Sequence, residues 1–263
     1  MITDQDYDNS GAVPGSEKLS AMWQAAAAAF RGEIGARARL GLPYGATERE
    51  RADLFLPEGT PEGLVVFVHG GYWRSRHRHD WSHLARGALA RGQAVAMPSY
   101  TLAPEARISQ ITLQIAQAVA MLAAEVPDVP VRLAGHSAGG HLVARMLCAD
   151  VMLPAQVAGR LARVVAISPV GDLRPLHDLS MNADLNLDPA EAAAESPTLL
   201  VPALDVPMTV WVGGAELPAF LDQARDLARA WDAALVEEPG RHHFDVIDGL
   251  ARPDSPLTDA VLS

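Results

Sequence analysis

A single cysteine, Cys148, stands in the whole chain. No intramolecular disulfide can form, and the thiol, set in an apolar helical stretch, is expected to be buried and structural. Positive charge is scarce: 21 Lys and Arg against 32 Asp and Glu leave a formal charge of −11. That balance argues against nucleic acid and against anionic membrane surfaces, both of which need a basic footprint. No uninterrupted apolar run approaches the ~20 residues of a membrane span. The first residues, Met-Ile-Thr-Asp-Gln-Asp-Tyr-Asp, are acidic and lack the basic and apolar regions of a secretion signal. A cytoplasmic location is the expectation. Internal repeats and long biased linkers are missing too. With 263 residues, 49% of them hydrophobic, the chain is expected to fold as one α/β domain spanning 1–263.

What is present alternates between short apolar runs and helical stripes. Residues 1–15 are polar and suggest an extended arm, and an Ala-rich helix follows from Ser16 to Arg31 with Leu19, Trp23 and Phe30 as its large apolar residues. Strands are expected at Ala52–Leu56, Leu64–Val68, Ala94–Met97, Val131–Ala134, Arg163–Ile167, Pro207–Val212 and Ala234–Glu237. Leu64-Val65-Val66-Phe67-Val68 has the unbroken apolar character of a strand covered on both faces. A helix is expected from Ser82 to Arg91. After Pro104, Ile108, Ile111, Ile115, Val119 and Leu122 recur with the 3.6-residue period of an amphipathic helix. Another helix, Pro218 to Trp231, is expected to turn Leu221, Ala224, Leu227 and Trp231 inward. This alternation implies a mostly parallel sheet covered on both faces, with ligands gathering beyond the strands' carboxyl ends.

One stretch organises the chemistry. Gly135-His136-Ser137-Ala138-Gly139-Gly140 lies between the strand ending at Ala134 and a helix opening at His141. Strand, Gly-x-Ser-x-Gly, helix is the context of a nucleophile elbow, in which glycines admit a tight turn and the serine hydroxyl is pushed out of the sheet. A serine needs a base, and the base an orienting acid. In this arrangement acid and histidine follow the serine in that order, which leaves His242 and His243 as bases. Two carboxylates lie past strand ends: Glu216 in a Gly-Gly-Ala-Glu turn, which is preferred, and Asp172, for which a helix N-cap is the competing duty. The oxyanion hole needs two backbone donors. Ala138 N–H is one, and the His69-Gly70-Gly71-Tyr72 loop offers the other from Gly71 or Tyr72.

These residues resemble the α/β-hydrolase family, and within it the kynurenine formamidases (arylformamidases) and their esterase relatives. His69-Gly70-Gly71-Tyr72-Trp73 is similar to that family's oxyanion loop, and residues 135–140 to its elbow. Tyr100-Thr101-Leu102-Ala103-Pro104-Glu105 resembles a structural segment of hormone-sensitive-lipase-like esterases. Tyr7 to Pro14 looks like the family's leading arm, and Asp172 to Leu176 with the stretch to Ser196-Pro197 like its segment after the sixth strand. The resemblance selects His243, which precedes Phe244 as the family histidine precedes Phe. It implies an α/β-hydrolase fold and an acyl-enzyme formed on Ser137, and the short helices and loops of this chain leave little or no cap domain. The implied acyl group is formyl and the leaving group an aromatic amine. One departure is visible: many relatives carry Asp where this chain has Glu216.

Gly70, Tyr72 and Trp73 are expected to contact the small-molecule acyl substrate, with the two aromatics walling the pocket. No metal or organic cofactor is required. Arg74-Ser75-Arg76-His77-Arg78-His79 is a basic cluster in an acidic chain. It reads either as an attractor of anionic substrates or as a solvated loop; His77, His79 and Asp80 fix no metal geometry. Residues 1–45 are expected to cover the mouth of the site. A broad carboxylesterase or thioesterase remains an alternative, as does a non-catalytic ligand-binding protein on the same scaffold. The oligomeric state is left open.

Overall fold

The computed structural model describes residues 2–263. Eight strands are found among them: β1 (Ala38–Pro43), β2 (Arg51–Phe55), β3 (Gly63–Val68), β4 (Gln93–Pro98), β5 (Val131–His136), β6 (Leu161–Ile167), β7 (Met208–Gly213) and β8 (Ala234–Glu238). They form one sheet in the order β1-β2-β4-β3-β5-β6-β7-β8. The pairings of β1 with β2 and of β2 with β4 are antiparallel. All the others are parallel, so the carboxyl ends of β3 to β8 open on one edge.

Alternation along each strand explains the unbroken apolar runs. In β3, Leu64, Val66 and Val68 enter the core on one face while Val65 and Phe67 enter the other. The first core is closed by the helices Ile108–Glu125, Ala138–Arg145 and Pro218–Ala230. The second is closed by Ser16–Ile34, Arg86–Ala90 and Pro256–Leu262. Each residue of the stripe Ile108, Ile111, Ile115, Val119 and Leu122 is buried. No helix among the described residues is long and apolar enough to cross a membrane.

Four local expectations are corrected. Strand β1 was not anticipated: it is a half-exposed edge strand, broken in register between Arg39 and Leu42 with Gly41 at φ 69°, and so has no apolar run to betray it. The segment from Ser82 is a 3-10 turn, Ser82–Ala85, leading into a short α-helix, Arg86–Ala90. In the Pro218–Ala230 helix it is Phe220 and Ala228 that join Ala224 and Leu227 inside, while Leu221 and Trp231 are only half-buried. Finally, the described residues of the 1–15 segment, 2–15, are not an extended arm. They form a 3-10 turn, Asp4–Tyr7, and a helical turn, Asn9–Ala12, whose cap is the Asp8 carboxylate accepting from Gly11 N–H at 2.9 Å.

Candidate active site

Strand β5 ends at His136, and the next residue, Ser137, sits at φ 56°, ψ −118° before the helix starts at Ala138. A non-glycine residue in that region costs on the order of 1–3 kcal/mol and persists only where its surroundings hold it. Here they do. Ser137 N–H donates to Ile167 O at 2.8 Å. A Cβ on Gly139 would stand 2.0 Å from Val68 O, and one on Gly135 would stand 2.1 Å from Gly139 O. Only glycine lets the helix approach β3 and β5 so closely, and that approach turns the serine outward.

His243 lies in the loop after β8, almost wholly buried. Its Nδ1–H donates to Glu216 Oε2 at 2.6 Å. The other oxygen, Oε1, accepts from Gly213 N–H at 2.8 Å and from the Ser168 hydroxyl at 2.5 Å. Three neighbouring strand ends therefore aim one carboxylate: Ser168 follows β6, Gly213 closes β7, and His243 follows β8. In the neutral imidazole, donation from Nδ1 leaves Nε2 as the acceptor nitrogen. Phe220 packs on the imidazole with ring centres 4.4 Å apart. His136 Nε2–H donates to His243 O at 2.8 Å. Burial holds the His136 ring neutral, its pKa pushed well below the ordinary value.

Gly71, Tyr72 and Trp73 follow β3 at φ 115°, 48° and 54°. Three consecutive left-handed residues need anchors, and each has one nearby. Tyr100 stacks on His69 at 4.5 Å and donates its hydroxyl to His69 O at 3.0 Å. The Tyr72 hydroxyl donates to Tyr7 O at 2.8 Å, and Trp73 O accepts from Ala103 N–H at 2.9 Å. Gly70 lies against the elbow, where a Cβ would come within 2.9 Å of Ser137 Cβ.

Ser137, His243, Gly70, Gly71 and Tyr72 all line one cleft of about 440 Å³. Ala138 is fully buried directly behind the serine. Trp73 must be corrected: its side chain is fully buried, edge-on to His141 at 5.1 Å, and forms no part of the cleft wall. The left-handed turn drives it beneath the loop. Asp172 is engaged elsewhere, paired with Arg174 at 2.6 Å and accepting from Arg174 N–H two residues on, while the N-cap of the following 3-10 turn is Leu173. His242 Nδ1 accepts from Phe244 and Asp245 N–H groups, so it shapes the loop. The basic cluster is only partly solvated, with Arg74 and Ser75 exposed. Arg78 is buried on Asp53 at 2.9 Å, Arg74 pairs with Asp184 at 2.5 Å, and Arg76 lies over Trp23.

Several wall residues were not singled out individually as site residues by the sequence. The turn Asp4–Ser10 covers part of the cleft, Trp23, Trp81 and Phe244 give it aromatic sides, and Ser180 and Met181 reach it from the β6–β7 connection. Tyr7 is held by Gln223 Nε2–H donating to its hydroxyl at 2.9 Å. The only advance signal was that Trp23 and Phe30 are too large and apolar for a free arm.

Residues 65–243 match a family model described as alpha/beta hydrolase fold. The chain belongs to that family. Kynurenine formamidase from Drosophila melanogaster is 31% identical over 231 residues, 80% of this chain and 76% of that protein. Kynurenine formamidase from Salmo salar is 28% identical over 241 residues, 86% and 82% of the two chains. The crystal structure of a candidate thioesterase from a Silicibacter species superposes with a TM-score of 0.96 at 54% identity, covering 98% of each chain. Esterase B from Lactobacillus rhamnosis shares the fold at TM-score 0.68 and 18% identity, covering 96% of this chain and 92% of its own. This hydrolase therefore resembles both formamidases and esterases.

Proposed function

We propose that this hydrolase removes a small, formyl-like acyl group from an aryl amide or ester, using Ser137, His243 and Glu216 and passing through an acyl-enzyme. The observation that carries the reading is the buried 2.6 Å His243–Glu216 hydrogen bond on the cleft that Ser137 lines. Ser137 Oγ attacks the acyl carbon while its proton passes to His243 Nε2. The developing oxyanion is held by Ala138 N–H and by Gly71 or Tyr72 N–H. His243 then protonates the leaving amine or alcohol. Water, deprotonated by the same nitrogen, attacks the acyl-enzyme, and collapse of that intermediate releases the acid and returns the proton to Ser137.

Gly70 and Tyr72 flank the acyl group, and Trp23, Trp81 and Phe244 supply flat apolar walls that suit an aryl leaving group. The reading takes residues 1–263 as one cytoplasmic catalytic unit with its first 45 residues over the site. It uses no cofactor. The formamidase relatives favour an amide. The candidate thioesterase, at 54% identity, favours a thioester instead. The test is hydrolysis of N-formylkynurenine, p-nitrophenyl acetate and acetyl-coenzyme A by wild type and Ser137→Ala. Preference for the formamide, abolished on the order of 10⁴-fold or more in the variant, supports the proposal. Ester or thioester turnover without formamide turnover keeps the triad and rejects the formamidase assignment. An active Ser137→Ala enzyme rejects both.

A further inference from the structure

Arg76 is a cation in the wrong place for an ordinary surface residue. Its side chain is half-buried, lines the cleft, and runs beside the oxyanion loop: a Cβ on Gly71 would lie 2.8 Å from Arg76 Cγ. The guanidinium rests over the Trp23 ring, 5.0 Å from its centre, and Trp23 lines the same cleft. Its one hydrogen bond among the described residues runs from Nη1 to the neutral Ser20 hydroxyl, at 2.7 Å. No carboxylate of the described residues is within ion-pair reach, whereas Arg74 and Arg78 on the same loop are both paired.

The carboxylates nearby are committed elsewhere. Asp4 accepts from Ser180 N–H at 2.8 Å, Asp8 from Gly11 N–H at 2.9 Å, and Asp80 from His77 N–H at 3.2 Å. Burial lowers the Arg76 pKa, with Asp80 opposing only in part. Holding a cation in a half-buried place without an anion is unfavourable. The backbone is held there as well. Arg76 sits at φ 77°, and its carbonyl accepts from Arg49 Nη2–H at 2.6 Å. Fixed backbone, stacked guanidinium and a Nε–Nη2 edge without a hydrogen bond make a preorganised fork for a planar anion.

We propose that Arg76 is a specificity-determining residue that takes a carboxylate borne by the substrate, away from the scissile acyl group, so that the hydrolase selects anionic acyl substrates over neutral ones. This rests on the serine-hydrolase reading above. The carboxylate would displace water from the Nε–Nη2 edge and accept two charge-assisted hydrogen bonds, while Trp23 beneath keeps the fork from turning away.

The test compares two pairs of substrates that differ by a ring carboxylate, the esters phenyl acetate and 3-acetoxybenzoate and the formamides formanilide and 2-formamidobenzoate, on wild type, Arg76→Gln and Arg76→Lys. Wild type is expected to favour the carboxylate member of at least one pair. In Arg76→Gln that preference ratio should fall about tenfold or more, mainly through KM, with Arg76→Lys in between because it keeps charge but not the fork. Thermal unfolding of each variant reports whether the fold is intact. Equal loss on both members of each pair marks Arg76 as purely structural and overturns the proposal, as does an unchanged ratio or a wild type without preference. Ser137→Ala separates the two readings: if it stays active, the catalytic proposal fails regardless of Arg76, whereas its inactivity beside an unchanged ratio rejects the Arg76 subsite alone.

Discussion

The two walls of the cleft are built differently. On one side, Ser137, Glu216 and His243 stand beyond the carboxyl ends of β5, β7 and β8, parallel strands of one sheet, and backbone register sets their spacing. On the other, the Asp4–Ser10 turn, Trp23 and Arg76 are held by side-chain contacts: Tyr72 on Tyr7 O, Gln223 on the Tyr7 hydroxyl, Trp23 on Trp81 with ring centres 4.8 Å apart. Strand ends cannot move without disturbing the sheet, which suits groups that must meet within a few tenths of an ångström. A wall of packed side chains can be re-cut one residue at a time, which suits the choice of substrate.

The largest effect that would break this contrast lies at Glu216. Glu216→Gln places an amide where Nδ1–H must donate, which favours the imidazole form with its proton on Nε2. The kcat is expected to fall on the order of 10⁴-fold with little change in KM. Asp172→Asn, at the rival position, should leave kcat within about twofold, since that carboxylate serves a partly exposed pair with Arg174. A reversal of the two results would mean that the strand-end wall is not the catalytic one.

An intermediate effect is expected on the opposite wall. Trp23→Ala removes a buried ring that touches Trp81, Phe244 and Arg76. Stability in urea should fall by about 3 kcal/mol or more. KM for an aryl substrate should rise roughly tenfold, the scale of one lost aromatic contact, and kcat should change much less. A kcat collapse equal to that of Glu216→Gln would show that this wall also sets the catalytic geometry.

The smallest effect concerns pH. Burial pushes His69 and His141 down to about 3, from about 6.5 in the unfolded chain. Below pH 6.5 the unfolded state takes up protons that the folded state refuses, so stability is complete above that value and drains away as pH falls toward 3. The Tm should therefore drop by a few degrees between pH 7.5 and pH 5. In His141→Gln, which can still donate to Glu195 O as the native ring does at 2.6 Å, that drop should be shallower. An equal slope in the variant would remove His141 from the cause.

Legibility in the sequence followed the same division. Strands β3 to β7 were visible because a strand covered on both faces needs apolar side chains at nearly every position, whereas half-exposed β1 left no such mark. The elbow was visible because its glycines stand where an added Cβ would lie as little as 2.0 Å from a backbone oxygen. Trp73 was misplaced because adjacency along the chain says nothing of where a side chain goes after three left-handed residues. Phe220 was missed because the phase of a short helix is not certain to within one residue.

By itself the sequence determined the layered α/β architecture, the turn that projects Ser137, and the chain order of the candidate acid and histidine, since each is written in local spacing and residue type. Only the tertiary structure decided that Glu216 rather than Asp172 meets His243, which residues of the Asp4–Ser10 turn line the cleft, and that Arg76 stands there without an anion. Those contacts join residues from 27 to more than 200 positions apart, and no local pattern specifies which distant side chains share a surface. That choice is made when the sheet packs its two helical layers and brings the ends together.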